Sequence, residues 1–484
     1  MLKSLYTSTP DTPAAAAETT DNTVAGMPAH FLAPDSPRFL SREACKALGE
    51  RIFAMAVGGG DTMLNINSSW RGNLRWGRNQ VSTGGDMQDT SVTVIRTIKG
   101  ARGLATTNGL DDAALIDCVR RAEALTIFSG EDPEQYPDQP PETLVHSEPK
   151  LWYDATYNVD AEVRGATAET LIGPAESADL FAAGYLNVAG WGYAVLTNTG
   201  LFRYYPFTTA QYSVTVRDKK GTGSGWAGID FNDWQRVDAN KLSAIALDKC
   251  LKSQNPVRVE PGRYTAILEP QAVCDLFAPI FDRAMDRVMA EMGMGPFAAG
   301  NGNSKIGQQV LDNRFTISAD PMDPDAGFVP FDWNGEPYQK TNWFENGILK
   351  ELSYSRHYGL TQLNRDAALS NSRAFRISGG TTTIDEMVST TDRGIYVTRF
   401  NAISVIDFNS MLLGGNTRDG LWLVERGKIT RPIKNFRITE SPLFALNNVA
   451  QLGIPQRVFR PGAPTVVPAL KVNDFSFTGM MDAV

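Results

Sequence analysis

The sequence predicts an α+β protein: an N-terminal α/β domain with a mixed or antiparallel sheet and helices, then a C-terminal antiparallel, barrel-like β domain with one long helix. Three observations predict it. In the first half, capped apolar stripes at helical spacing alternate with runs of β-branched and aromatic residues at period two. From Val257 onward strand patterns dominate, with strong hairpin signals at Asn346-Gly347 and Arg426-Gly427. Only one stretch of that second half, opening at Pro270, carries a long apolar stripe at helical spacing.

Residues 1–36 are rich in Ala, Thr, Pro and Asp and lack the large apolar side chains that offset ordering entropy, so a disordered tail is expected. The N-terminal domain, 37–252, opens with a helix in which Ser41 is the N-cap and Ala44, Leu48, Ile52 and Met55 form one face. Gly58-Gly59-Gly60 ends it. A strand pair is expected over 63–70 and 72–81, closed by Ser82-Thr83-Gly84-Gly85, then a strand over 90–98 turning at Lys99-Gly100 onto 103–107. Asp111 caps a helix whose Leu115, Val119 and Ala122 point one way. The proline-dotted segment 130–149 reads as an exposed connection.

After helices between 160 and 181, segments 185–197 and 201–217 form a long hairpin around Asn198-Thr199-Gly200, with Tyr212, Val214 and Val216 on its buried side. Its aromatics, Trp191, Tyr193 and Phe207 among them, fit cross-strand packing better than a ligand platform. The loose glycine loop from Gly221 to Gly228 has no phosphate-cradle spacing. Asp238 caps a helix with Leu242, Ile245 and Cys250, and residues 253–256 link it to the C-terminal domain, 257–484.

That domain enters by a strand over 263–268 after Pro261-Gly262. Pro270 then suits the first turn of a helix with Ala272, Leu276 and Ile280 inward. This helix is expected to kink at Pro279 and to reach Met292. Further strands are expected over 314–318, 395–400 and 472–477.

Composition narrows the functions. With 484 residues, 42% hydrophobic and 21% charged, the chain can bury the cores of two or three ordinary globular domains. A net charge of −8 argues against a non-specific nucleic-acid surface. No run approaches the roughly 18 apolar residues of a membrane span, and residues 1–22 lack the apolar core of a secretory signal, so the cytoplasm is the expected compartment. Cys45, Cys118, Cys250 and Cys274 show no CxxC spacing and are expected to be buried hydrophobes.

Several segments, in this order, carry a resemblance: Asn79-Gln80-Val81-Ser82-Thr83-Gly84-Gly85, Ala105-Thr106-Thr107-Asn108-Gly109-Leu110-Asp111-Asp112, Glu345-Asn346-Gly347-Ile348-Leu349-Lys350, Thr417-Arg418-Asp419-Gly420 and Lys434-Asn435-Phe436-Arg437-Ile438-Thr439-Glu440. The chain resembles the TldD/PmbA family over most of its length beyond the tail. In the metallopeptidase members the helix after the first strand of the C-terminal domain carries His-Glu, three spacers and a second His. A cysteine near the C-terminus completes the zinc site.

The matching positions here are Ala278, Pro279 and Arg283, and no cysteine follows Cys274; residues 457–468 supply none. Zinc needs imidazole nitrogen, thiolate or carboxylate, which these side chains do not offer. The resemblance therefore implies a PmbA/TldE-like member with no zinc and no other cofactor. It implies a partner in a TldD-like metallopeptidase paralogue, or else in a second copy, with unfolded peptides as substrates and neither nucleic acid nor membrane as a partner. The alternative is an independent peptidase or peptide-binding protein with a repurposed site on the same fold. Arg399, Phe400, Phe436 and Arg437 are the expected interface anchors, unless their strands are simply core.

Other chemistry finds little support. His30, His146 and His357 lie far apart in sequence. Cys274 stands next to Asp275, whose charge opposes a thiolate. Asp320, Asp323 and Asp325 lack the glycine and closing glutamate of a calcium loop and read as a solvated acidic turn.

Overall fold

Six strands build the first domain: β1 (Asp61–Gly77), β2 (Gln80–Ile98), β3 (Ala101–Thr107), β4 (Leu180–Thr197), β5 (Phe202–Asp218) and β6 (Ser224–Phe231). They form one antiparallel sheet in the spatial order β3-β2-β1-β4-β5-β6. The computed structural model describes residues 38–130 and 148–481, so the tail 1–36, His30, His146 and most of the proline-dotted connection lie outside the described residues. Among the described residues, five α-helices accompany the sheet: α1 (Arg42–Met55), α2 (Asp112–Ser129), α3 (Asp154–Tyr157), α4 (Ala161–Ser177) and α5 (Ala239–Lys252).

The helices start where their caps dictate. Ser41, Asp111 and Asp238 each accept a backbone N–H three residues on, from Ala44 at 3.2 Å, Ala114 at 3.0 Å and Lys241 at 2.9 Å. The apolar stripes of α1 and α2 pack with Leu64, Ile66 and Val94, while those of α4 and α5 pack with Leu186, Tyr212 and Val214. Strand alternation turns Val195 and Tyr193 to the opposite face, where they meet Phe331 of the second domain.

The first hairpin differs from expectation. Its turn is Arg78-Asn79, both at positive φ (50° and 65°), and the segment 82–85 lies inside β2. Asn79 fixes the turn by bonding the backbone of Leu180 and Ala182 in β4. Gly72 is no turn either. The buried Arg164 passes over it, 2.1 Å from where a Cβ would stand, and pairs with Asp86 at 2.9 Å.

The second domain begins with β7 (Gly262–Leu268), α6 (Pro270–Arg283) and α7 (Arg287–Glu291). Short strands follow: β8 (Ala298–Gly300), β9 (Asn303–Ser304), β10 (Ile317–Ala319), β11 (Thr341–Glu345) and β12 (Ile348–Leu349). Next come α8 (Arg356–Leu363), β13 (Phe375–Ile377), α9 (Ile384–Ser389), β14 (Arg393–Asp407), β15 (Leu412–Glu425) and β16 (Lys428–Pro432). The chain finishes with β17 (Phe436–Glu440), α10 (Pro442–Asn447), β18 (Val449–Arg457) and β19 (Thr465–Met480).

β7, β14, β15, β17 and β19 pair in a closed ring, which removes the sheet edges that an open sheet would expose. The pairings are antiparallel except β14 with β7 and β13 with β19. Helix α6 packs against β14 and β19. It buries Val273, Cys274, Phe277 and Phe281 besides the expected Ala272, Leu276 and Ile280, and full burial of each large apolar side chain contributes about 1.5–3 kcal/mol.

This helix does not reach Met292. Asp286 leaves the helical path to bridge Ser353 and caps α7 through Met289 N–H at 2.8 Å, so the backbone bonds that would extend α6 go elsewhere. The hairpin at Asn346-Gly347 forms as expected, with φ of 49° and 76°.

Two expected interface anchors are core residues. Phe400 and Phe436 are 1% and 0% exposed and pack on Phe475 and Phe477. The alternation of β14 and β17 turns them into the ring, leaving Arg437 outside.

Candidate functional site at the domain seam

Helix α6, where the resemblance implies the His-Glu-xxx-His motif, ends beneath the loop joining β18 to β19. Gln271 clamps this loop by accepting Phe459 N–H at 3.0 Å and donating to Phe459 C=O at 3.2 Å. Arg460 donates to Asp282 Oδ1 at 2.7 Å and to the Arg373 carbonyl at 2.7 Å, and its guanidinium stands over Phe375. Residues 457–468 therefore do reach the last turns of α6, as the resemblance implies, but they bring a guanidinium.

Ala278 and Pro279 are half-buried and Arg283 is exposed. Ala278 and Pro279 offer no side-chain donor atom, and neither Arg283 nor Arg460 has a lone pair to give. The residues present do not fit a zinc ion. Among the described residues no cluster of three or more His, Cys, Asp or Glu could hold a metal.

Deeper in the seam, Asp275 on α6 accepts Phe400 N–H at 2.9 Å and Gln271 Nε2 at 2.9 Å. Burial pushes its carboxyl up to about 6, against the pull of Arg399 and the two hydrogen bonds. Arg399 is not free for a partner chain. Its guanidinium lies 4.2 Å from the Trp226 ring of the first domain and 3.6 Å from Asp419, which Ser224 also bonds.

A second crossing joins Asp230 of β6 to Arg457, an ion pair whose side chains are 8% and 7% exposed, and Asp230 also accepts Arg460 N–H at 2.6 Å. Sequence reasoning missed these roles, although Asp230 is a charge on a strand whose neighbours are apolar.

The remaining candidates resolve simply. All four cysteines are buried and unpaired, and burial pushes the Cys274 thiol well up, as it does for the others. His357 is half-buried on α8. The acidic turn is ion-paired rather than merely solvated: Asp323 takes a two-pronged contact from Arg376 at 2.6 and 2.8 Å, and Asp325 pairs with Arg236 at 2.6 Å. Burial of Asp323 works against ionisation, but Arg376 prevails and holds the carboxyl below its usual range.

An open cavity of about 290 Å³ lies at the seam between Tyr193, Phe207 and Phe231 of the first domain and Phe328, Phe331 and Tyr338 of the second. Trp191 and Phe207 stack across strands, as expected, yet Phe207 and Tyr193 also line this cavity. No helix among the described residues is long and apolar enough to cross a membrane.

Residues 261–479 match the family model of the PmbA/TldA metallopeptidase C-terminal domain. A metalloprotease TldD homolog from Buchnera aphidicola subsp. Acyrthosiphon pisum (strain APS) is 24% identical over 270 residues, 50% of this chain. The match spans about half of that relative's length, 54%. The fold is similar to the crystal structure of TldE from Thermococcus kodakarensis, with a TM-score of 0.76 at 15% identity, covering 90% of this chain and 100% of that one. A candidate modulator of a DNA gyrase from Thermotoga maritima MSB8 has the same TM-score at 14% identity and the same coverage. The C-terminal domain thus belongs to the TldD/PmbA family and is metallopeptidase-related, and the chain as a whole has the fold of the solved structures named above.

Proposed function

We propose that this chain is a PmbA/TldE-like subunit without a zinc site of its own, which pairs with a TldD-like metallopeptidase paralogue and helps to present unfolded peptides to it. The observation that carries this reading is the loop above α6. Where the metallopeptidase resemblance implies the His-Glu-xxx-His motif, the chain has Ala278, Pro279 and Arg283, and Arg460 is tied to Asp282 beside them. None of these side chains offers a metal donor, and Asp282, the carboxylate beside them, is taken up by Arg460. The rest of the fold remains well packed around that helix, which suits a role in binding and assembly. The contact with the paralogue would form on the outer surface near the exposed Arg437, with Ile406 at 58% exposure nearby in a shallow groove.

The test is co-expression with a His-Glu-xxx-His paralogue, followed by zinc analysis and peptide hydrolysis assays of each chain and of the complex. The two chains are expected to co-elute, with zinc in the paralogue only and no hydrolysis by this chain alone. One zinc per chain and chelator-sensitive cleavage by this chain alone would overturn the reading in favour of an independent peptidase.

A further inference from the structure

We propose that the seam cavity is a binding pocket for one aromatic residue of an unfolded peptide, taking its ring between the aromatic walls and its backbone carbonyl on Arg457 and Ser372. This rests on the peptide reading above for the source of the ligand, but the pocket itself is argued from its walls. Six aromatic residues from both domains enclose it, and Trp333, 43% exposed, stands among its lining residues. Stacked and edge-on aromatic contacts favour a ring over an aliphatic group of equal area.

Two buried polar atoms of the lining have no hydrogen-bond partner: Nε of Arg457 and Oγ of Ser372. The Arg457 side chain is only 7% exposed, and its other nitrogens are engaged, Nη1 by the Asp325 carbonyl at 2.6 Å and Nη2 by Asp230. A buried donor left without a partner is unfavourable, so a ligand that brings an acceptor to this place relieves it.

Charge selects which acceptor. Asp230 already neutralises Arg457. The wall also holds Asp332, whose oxygens are used by Asn334 N–H at 2.8 Å, Glu336 N–H at 2.9 Å and the Ser370 hydroxyl. A free carboxylate would enter a pocket with no spare positive charge, whereas a neutral amide carbonyl meets Nε–H without repulsion. The volume lies at the small end of ligand pockets and suits a single residue.

The test titrates N-acetyl-phenylalaninamide into the full chain, following tryptophan fluorescence, beside N-acetyl-alaninamide and N-acetyl-phenylalanine with its free carboxylate. Saturable binding of the phenylalanine amide is expected, at least roughly tenfold tighter than either comparator. Val329→Phe, which fills the cavity, should abolish it, and Ser372→Ala should weaken it severalfold with no fall in melting temperature. If Val329→Phe fails to fold, Trp333→Ala, at an exposed position, replaces it and should also weaken binding. Absence of saturable binding, equal affinity for the three probes, or wild-type affinity in the folded variants overturns the proposal. The probe needs no partner chain: binding without any complex with a paralogue would leave the pocket standing and sink the subunit reading. A complex that forms while the probe fails to bind does the reverse.

Discussion

Arg460 and Asp282 meet at 2.7 Å, Nη2 to Oδ1, and so fasten the loop after β18 to α6 one residue before Arg283. Other contacts hold the same loop: Gln271 clamps Phe459, and Arg460 also bonds the Arg373 carbonyl, Thr465 and, through its backbone N–H, Asp230. The ion pair itself is partly open to water, with side chains 12% and 38% exposed. Asp282→Ala is therefore expected to cost under about 1 kcal/mol. Arg460→Ala removes three further contacts and should cost more, about 1–3 kcal/mol. Urea denaturation of both variants measures the difference, and equal effects would show that the loop does not depend on the carbonyl contacts.

The Asp230–Arg457 pair is a different case because both side chains are almost fully buried. Truncating one partner leaves the other charge in a poorly solvated seam, a loss of about 3–5 kcal/mol. Asp230→Ala and Arg457→Ala should each show it in chemical denaturation. The double variant should lose clearly less than the sum, since no orphaned charge remains. Additive losses would mean that water reaches the seam.

Legibility in the sequence follows the range of the interaction. The caps Ser41, Asp111 and Asp238 and the turn Asn346-Gly347 act over two to four residues, so their residue types alone specify them. The turn of the first hairpin is hidden in the sequence because Arg78-Asn79 contains no glycine. What fixes it is Asn79 reaching Leu180 and Ala182, about a hundred residues away in the chain. Gly72 and Gly84 invite a turn by type, yet Gly72 is needed for the passage of Arg164.

The site shows the same division. Ala278, Pro279 and Arg283 could be read from resemblance because they lie on one helix. Arg399 looked like an exposed anchor because nothing local reveals that Trp226, from the other domain, lies under it. Phe400 and Phe436 looked like anchors for the same reason, and the closure of the strand ring buries both.

Asp275 gives a pH signature. Its folded-state carboxyl is raised to about 6, chiefly by burial, from an ordinary value near 4. The groups that face it are Arg399, which opposes the shift, and Asp419, which adds to it, with hydrogen bonds from Gln271 and Phe400 N–H. Because the folded state binds this proton more tightly than the unfolded one, its contribution to stability is fully present below about pH 4. That contribution is lost as pH rises through about 6. Asp275→Asn keeps an acceptor for Phe400 N–H without the charge. It should flatten the stability profile between about pH 4 and 6 and be the more stable protein at pH 7, by up to about 3 kcal/mol. Melting curves across that range check it, and parallel profiles for the two proteins would remove Asp275 as the cause.

Arg437 and Arg399 should part company in an association assay. Arg437 lies on the outer side of β17, exposed, while the adjacent Phe436 points into the core and holds the strand in place. Ile406, on the far end of β14, is 58% exposed and lines the same shallow groove, so the two present an apolar centre beside a guanidinium. Residues of this kind supply most of the binding energy where protein surfaces meet. Under the pairing proposed above, Ile406→Asp and Arg437→Ala are each expected to weaken binding to the metallopeptidase paralogue roughly tenfold or more, the loss of on the order of 1–2 kcal/mol that an interface-centre residue gives. Neither removes a buried contact, so the monomer's stability should change by less than about 0.5 kcal/mol. Arg399→Ala should do the opposite. It takes away the stacking partner of Trp226 and the cation near Asp419 and Asp275, so it destabilises the folded chain and weakens association only through that. Titration calorimetry for binding and urea denaturation for stability separate the two patterns. If Ile406→Asp and Arg437→Ala both bind the paralogue with wild-type affinity, the contact lies on another face.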